Sequence, residues 1–118
     1  MKLWVFFLLP FTATSALALG EYDGIYKPAA DWANDWDCKR LGQDGGAMAV
    51  INNQFIGVER ACRLSNPVNV RDIDATLFDA DCSAEGKGMT ERMMLMETSD
   101  GIAVLTNGSV VLLRQCTS

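Results

Sequence analysis

The stretch Ile102–Leu113, IAVLTNGSVVLL, decides the fold. Two apolar runs, Ile102 to Thr106 and Ser109 to Leu113, flank Asn107-Gly108. Asn-Gly supplies the positive φ angles of a two-residue turn, so the stretch reads as a β-hairpin. Asp100-Gly101 marks a second turn, joining this hairpin to a strand from Met89 to Glu97. Ala84-Glu85-Gly86-Lys87-Gly88 then leads back to a strand from Ile73 to Cys82. Four strands in sequence, each joined by turn residues, predict an up-and-down meander.

The pattern extends toward the N-terminus. Ala47 to Ile51 and Gln54 to Val58 flank Asn52-Asn53, and asparagine tolerates φ > 0, so a second hairpin is expected there. In the strand from Ile73, apolar parity runs Ile73, Ala75, Leu77 and then switches to Phe78, Ala80, Cys82. Side chains alternate with period two, so the switch predicts a bulge or bend near Leu77-Phe78. Bends of this kind curl a sheet into a barrel. Pro28 to Gly42 differs: Ala29/Ala33 and Trp32/Trp36 are spaced four apart, Pro28 comes first, Lys39 and Arg40 come late, and Gly42 follows. These signals fit a short helix or a 3₁₀ turn over the sheet. The expected class is all-β: a small antiparallel up-and-down sheet curled toward a barrel, with a short N-terminal helix or turn and two disulfides.

The chain has 118 residues, which suits one domain. Lys+Arg 10 against Asp+Glu 15 gives a net charge of −5, which argues against nucleic acid or an anionic membrane as partner. There is no histidine, so the Ser-His-Asp triad, the Cys-His pair and the commonest general base are missing. No G-x-S-x-G motif appears either, and the expectation is a protein that is not an enzyme. Met1-Lys2, the apolar run Leu3 to Leu9, Pro10 and the A-x-A site Ala16-Leu17-Ala18 have the layout of a secretory signal peptide. The predicted division is a leader at 1–18 and a single disulfide-stapled β domain at 19–118. The expected location is periplasmic or secreted, with no membrane span after cleavage.

Export makes disulfides feasible. Cys38, Cys62, Cys82 and Cys116 allow three pairings. Sequential pairing would join Cys82 to Cys116, which end the first and fourth strands of the meander. Those ends fall on opposite rims, whereas a disulfide needs Cα atoms within about 7 Å. A turn near Val70–Asp72 instead places Cys62 opposite Cys82 and leaves Cys38 for Cys116. This pairing is the preferred one and the sequential pairing is the alternative. No CxxC suggests redox or zinc chemistry.

Cys38, the Gly45-Gly46 turn, Glu59-x-x-Cys62, Cys82 before Glu85-Gly86, and Arg114-x-Cys116 together resemble a set of small exported proteins of Gram-negative bacteria. Their shared skeleton is W…C…E-x-x-C…C-x-(G)-E-G…C, matched over roughly 32–116. The chain departs from it at Ser83-Ala84, where a glycine precedes Glu-Gly, and by an extra residue before the last cysteine. The resemblance implies a compact disulfide-tied β fold and no catalytic residue. Periplasmic lysozyme inhibitors share the size, the export signal and the barrel plan, but their Ser-Gly-x-x-Tyr loop is not found here.

The candidate binding residues are Asp31, Trp32, Asp35, Trp36 and Asp37, with Glu59. Aspartates beside tryptophans suit a sugar or a cationic partner. An ordered D-x-D-x-D-G calcium loop is absent. Glu59, next to Cys62, is expected to be partly buried and paired with Arg60, Arg63 or Arg71. Asp72/Asp74 and Asp79/Asp81 are strand pairs read as exposed faces. Met89, Met93, Met94 and Met96 are read as core, with soft copper ligation as the alternative. No cofactor or resident metal is expected. The last three strands are apolar on both faces, which predicts that something covers the outer one, first of all the Trp32/Trp36 segment. The functional expectation is a non-catalytic binding protein with a cell-envelope protein as partner, inhibitor-like toward a cationic hydrolase. The alternatives are a small-ligand or metal carrier and a structural envelope protein.

Overall fold

The computed structural model describes residues 18–117. The leader expected at 1–18 lies outside the described residues, apart from Ala18. Eight antiparallel strands form a closed barrel in sequence order. They are β1 (Gly24–Pro28), β2 (Met48–Ile51), β3 (Gln54–Gly57), β4 (Arg60–Asn69), β5 (Ala75–Ala84), β6 (Lys87–Glu97), β7 (Gly101–Thr106) and β8 (Ser109–Gln115). The expected sheet is therefore complete: β1 pairs with β8, with Tyr26 opposite Gln115 and Pro28 opposite Leu113.

The turns are those the sequence marks. Asn52 and Asn53 both have positive φ, 53° and 65°, and link β2 to β3. Gly108, at φ 84°, closes the β7–β8 hairpin, and Glu85-Gly86 closes β5–β6. The bulge expected at Leu77-Phe78 is not in that strand: β5 pairs with β6 without a break from Ala75 to Ala84, and the register shift lies on β4. Ser65 faces Asp79 while Val68 faces Leu77, so Asn66 and Pro67 together oppose Phe78. Asn66 has φ 53°, and a proline at a bulge withholds no ladder hydrogen bond.

The interior is filled by the chain's own side chains. Phe78, Met93, Leu95, Leu113 and Val50 are fully buried. Tyr22, from a 3₁₀ turn at Ala18–Tyr22, joins them and packs edge-on against Phe78. Its hydroxyl meets Thr76 Oγ1 at 2.9 Å, and Thr76 donates to Asn69 Oδ1 at 3.0 Å. Thr76 has one proton to give, so Tyr22 is the donor in the first bond. Tyr26 donates to the Tyr22 carbonyl at 2.6 Å. Burial pushes both tyrosine pKa values above 10.0.

Two disulfides tie the barrel, Cys62–Cys82 and Cys38–Cys116. Cys62 faces Cys82 directly across β4 and β5, as the preferred pairing required.

The long β1–β2 connection folds back over the outer face of β1–β3. The Gly42 carbonyl accepts the Glu59 backbone N–H at 2.8 Å, and Cys38 is bonded to Cys116, whose N–H donates to Ile25. Ala49, which points outward between core residues Met48 and Val50, is consequently fully buried. This corrects one expectation: the Trp32/Trp36 segment does not cover the last strands. The outer wall of β4–β8 carries an apolar stripe running Val68, Leu77, Met94, Leu105, Val110 through paired positions, half-buried at its three middle residues and exposed at its ends. Val68 and Val110 are 59% and 65% exposed.

Candidate binding site

The β1–β2 connection carries the aspartates and tryptophans. Pro28 ends β1, and Ala30 is extended before a 3₁₀ turn at Asp31–Ala33. Ala33, Asn34 and Trp36 donate successively to Ala30, Asp31 and Ala33 carbonyls at 3.0–3.2 Å, so the chain makes tight turns rather than the longer helix. Ala33 is fully buried and anchors the turn. Lys27 Nζ donates to the Asn34 carbonyl at 3.2 Å, and Arg114 Nη1 donates to Asn34 Oδ1 at 3.4 Å. Trp36 is half-buried against the core.

Trp32 is the outward residue of this pinned turn, 69% exposed. Its ring lies 6.1 Å from that of Trp36, edge to face. Asp31 and Asp35 flank it and are exposed, and among the described residues neither enters an ion pair.

Asp37 has a different task. Its Oδ1 accepts the backbone N–H groups of Lys39 and Arg40 at 2.7 and 3.1 Å, and its Oδ2 accepts Arg40 Nε at 2.6 Å. The Arg40 guanidinium and those two N–H groups hold its carboxyl at about 2. Asp37 shapes the loop, while Asp31, Trp32 and Asp35 face outward.

Glu59 departs from expectation. It sits with Val58 in the two-residue β3–β4 turn at φ 57°, is exposed, and among the described residues forms no ion pair with Arg60, Arg63 or Arg71. Arg60 pairs with Glu91 instead, at 2.6 Å. Sequence reasoning missed Glu91 because the contact skips a strand: Arg60 on β4 reaches over β5 to Glu91 on β6.

The remaining candidates disperse. Asp72 and Asp74 are exposed at the β4–β5 turn, and Asp79 is held by Arg92 at 3.0 Å and by Asn66. Met93 is in the core, while Met94 and Met96 point to the outer wall. The one cluster of potential metal-ligating groups among the described residues is Cys62, Cys82 and Glu91. Both its sulfurs are in a disulfide and offer no thiolate. No helix among the described residues is long and apolar enough to cross a membrane. Comparison with family models, curated proteins and solved structures finds no match.

Proposed function

We propose that the chain is an exported, non-catalytic binding protein of the periplasm or the secreted fraction, inhibitor-like toward a cationic hydrolase of the cell envelope. The observation that carries this is Trp32, exposed beside two aspartates that enter no ion pair among the described residues, on a turn held by Lys27 and Arg114. A tryptophan already held in place loses little freedom on docking, and such aromatics dominate interface energetics. Asp31 and Asp35 add a negative field that speeds encounter with a basic partner. The bare wall adjoins this turn, because the Ala29 N–H donates to the carbonyl of Leu112, itself 55% exposed. It gives a partner apolar area beside the acidic tip.

The test is an inhibition and binding assay on purified cationic muramidases and amidases with peptidoglycan as substrate. Wild type is expected to inhibit at least one of them, more weakly as salt rises. Trp32→Ala is expected to lose about 2 kcal/mol of binding, roughly thirtyfold. If no enzyme binds, or Trp32→Ala binds as wild type does, the reading fails.

A further inference from the structure

β6 outruns its neighbour. It extends from Lys87 to Glu97, but β7 pairs with it only from Met94 onward. The β7–β8 turn follows Thr106 at once, so one side of Lys87 to Arg92 has no strand beside it. An open notch of about 590 Å³ lies there, between Thr90, Glu91 and Arg92 and the hairpin tip at Leu105, Thr106 and Asn107.

The β5–β6 turn fixes where each backbone group on this overhang points. Ala84 and Lys87 flank Glu85-Gly86, both at positive φ, 53° and 80°. A two-residue turn of this kind is closed by a hydrogen-bonded pair, and such pairs alternate along an antiparallel ladder. Lys87, Met89 and Glu91 therefore direct their N–H and C=O groups to β5. Gly88, Thr90 and Arg92 direct theirs into the notch, where among the described residues no backbone group meets them. A free row of this kind is a template for another strand, and natural edges are usually blunted by proline, a bulge or charge. β4 overhangs β3 and is blunted by Pro67 at its register shift. β6 has no such break, for its ladder with β5 is continuous.

The sequence of the overhang matches itself. Two copies related by a twofold axis run antiparallel here, and their free groups meet only where even positions face even positions. With the axis at Met89, Gly88 faces Thr90 of the second copy, and each such pair exchanges both hydrogen bonds. Lys87, Met89 and Glu91 share one face of the strand. Met89, 53% exposed, then meets Met89 of the second copy. Lys87, exposed and in no ion pair among the described residues, meets Glu91 of the second copy on either side of the axis. These are the closely spaced positions where cross-strand charges act most strongly. An axis at Thr90 would set Met89 against Glu91 and Lys87 against Met93. An axis at Glu91 would set two carboxylates face to face.

We propose that the chain forms a twofold dimer through this edge, β6 pairing with β6 of a second copy about Met89, so that two β5–β6 hairpins join into one four-stranded sheet. The contact is shorter than a standard interface, so the dimer is of the weak class and forms as concentration rises. The edge shares no residue with the Trp32 turn.

The test is sedimentation equilibrium and NMR on the oxidised protein, from about 10 μM to about 1 mM. The mean mass is expected to climb toward twice that of the monomer, and the Gly88 and Thr90 amides to gain exchange protection in step. A nuclear Overhauser contact between Lys87 Hα and Glu91 Hα is expected; within one strand these atoms are about 13 Å apart, so only pairing between copies produces it. Thr90→Pro removes a free N–H and no bond within the barrel, and is expected to weaken association at least tenfold. Lys87→Glu, an exposed substitution that spares the fold, sets like charges together and is expected to weaken it about tenfold. A protein that stays monomeric at about 1 mM overturns the proposal and leaves the edge to a strand of another protein. So does a dimer without the Lys87–Glu91 contact, or undiminished association by Lys87→Glu. Concentration-dependent shifts of the Leu105 and Val110 methyls with the Gly88 and Thr90 amides still exposed would place the contact on the apolar wall and likewise overturn it.

Discussion

Asp37 and the two tyrosines make opposite pH signatures. The Asp37 carboxyl is depressed from 3.8 to about 2 in the folded chain by Arg40 and two backbone N–H groups. Its contribution is therefore complete above about pH 4 and is lost as pH falls through about 2. A carboxyl-carbon NMR titration should give a midpoint near 2, moving up toward the ordinary value in Arg40→Gln. Tyr22 and Tyr26 are raised by burial, so their contribution holds below pH 10 and is lost as pH climbs past their folded values. They are the chain's two tyrosines. Phenolate absorbance should stay flat at pH 10 and then rise together with loss of the far-ultraviolet sheet signal. Separate transitions would show that the tyrosines ionise inside an intact barrel. Thr76→Val tests the same cluster: it strips Tyr22 of its acceptor and should cost about 1–3 kcal/mol in chemical denaturation.

At the scale of the element, the β1–β2 connection is held by backbone contacts as much as by side chains. Gly46 is pressed against Arg40, and a Cβ there would run into the Arg40 carbonyl. Gly46→Ala should destabilise by about 1–3 kcal/mol and also raise amide exchange around Trp32, because the same loop presents both. Unchanged exchange at Trp32 would show that the turn holds itself. Turns were legible in the sequence because they depend on local chemistry: positive φ is needed at positions 52, 53 and 108, and Asn52, Asn53 and Gly108 provide it. The first strand was not legible. Gly24–Pro28 reads GIYKP, too short and mixed to alternate, and becomes a strand because β2 and β8 pair with it on both sides. The β3–β4 turn was hidden for a similar reason, since Glu59 at φ 57° carries no turn signature. Parity in β5 misled, because Ala75 and Leu77 simply face outward while Phe78, Ala80 and Cys82 face inward, and the register shift belongs to β4. The overlooked signal was Pro67, an awkward residue inside a strand. In the candidate site, Trp32 and its aspartates were visible as a cluster. Which of them faces outward depended on Asn34 and Asp37 bonds that only the folded loop defines.

For the whole molecule, closure leaves the strands no continuous free edge, so association must use faces, loops or the overhang of β6. The bare wall of β4–β8 is such a face, and Leu112→Asp should weaken partner binding while leaving stability within about 0.5 kcal/mol. Equal binding by this variant would confine the interface to the Trp32 turn. The two disulfides act over different spans, 20 and 78 residues. In the chain-entropy account the shorter contributes about 3 kcal/mol and the longer about 4.5. Their nesting also has a kinetic consequence. As the chain emerges from its N-terminus, Cys38 meets Cys62 long before Cys116 exists, and oxidation in order of appearance would trap the wrong pair. Correct maturation requires either that Cys38 stay reduced until β8 arrives or that a mismatched bond be exchanged. Oxidative refolding should therefore pass through a species holding Cys62–Cys82 alone and should accelerate when a disulfide isomerase is added.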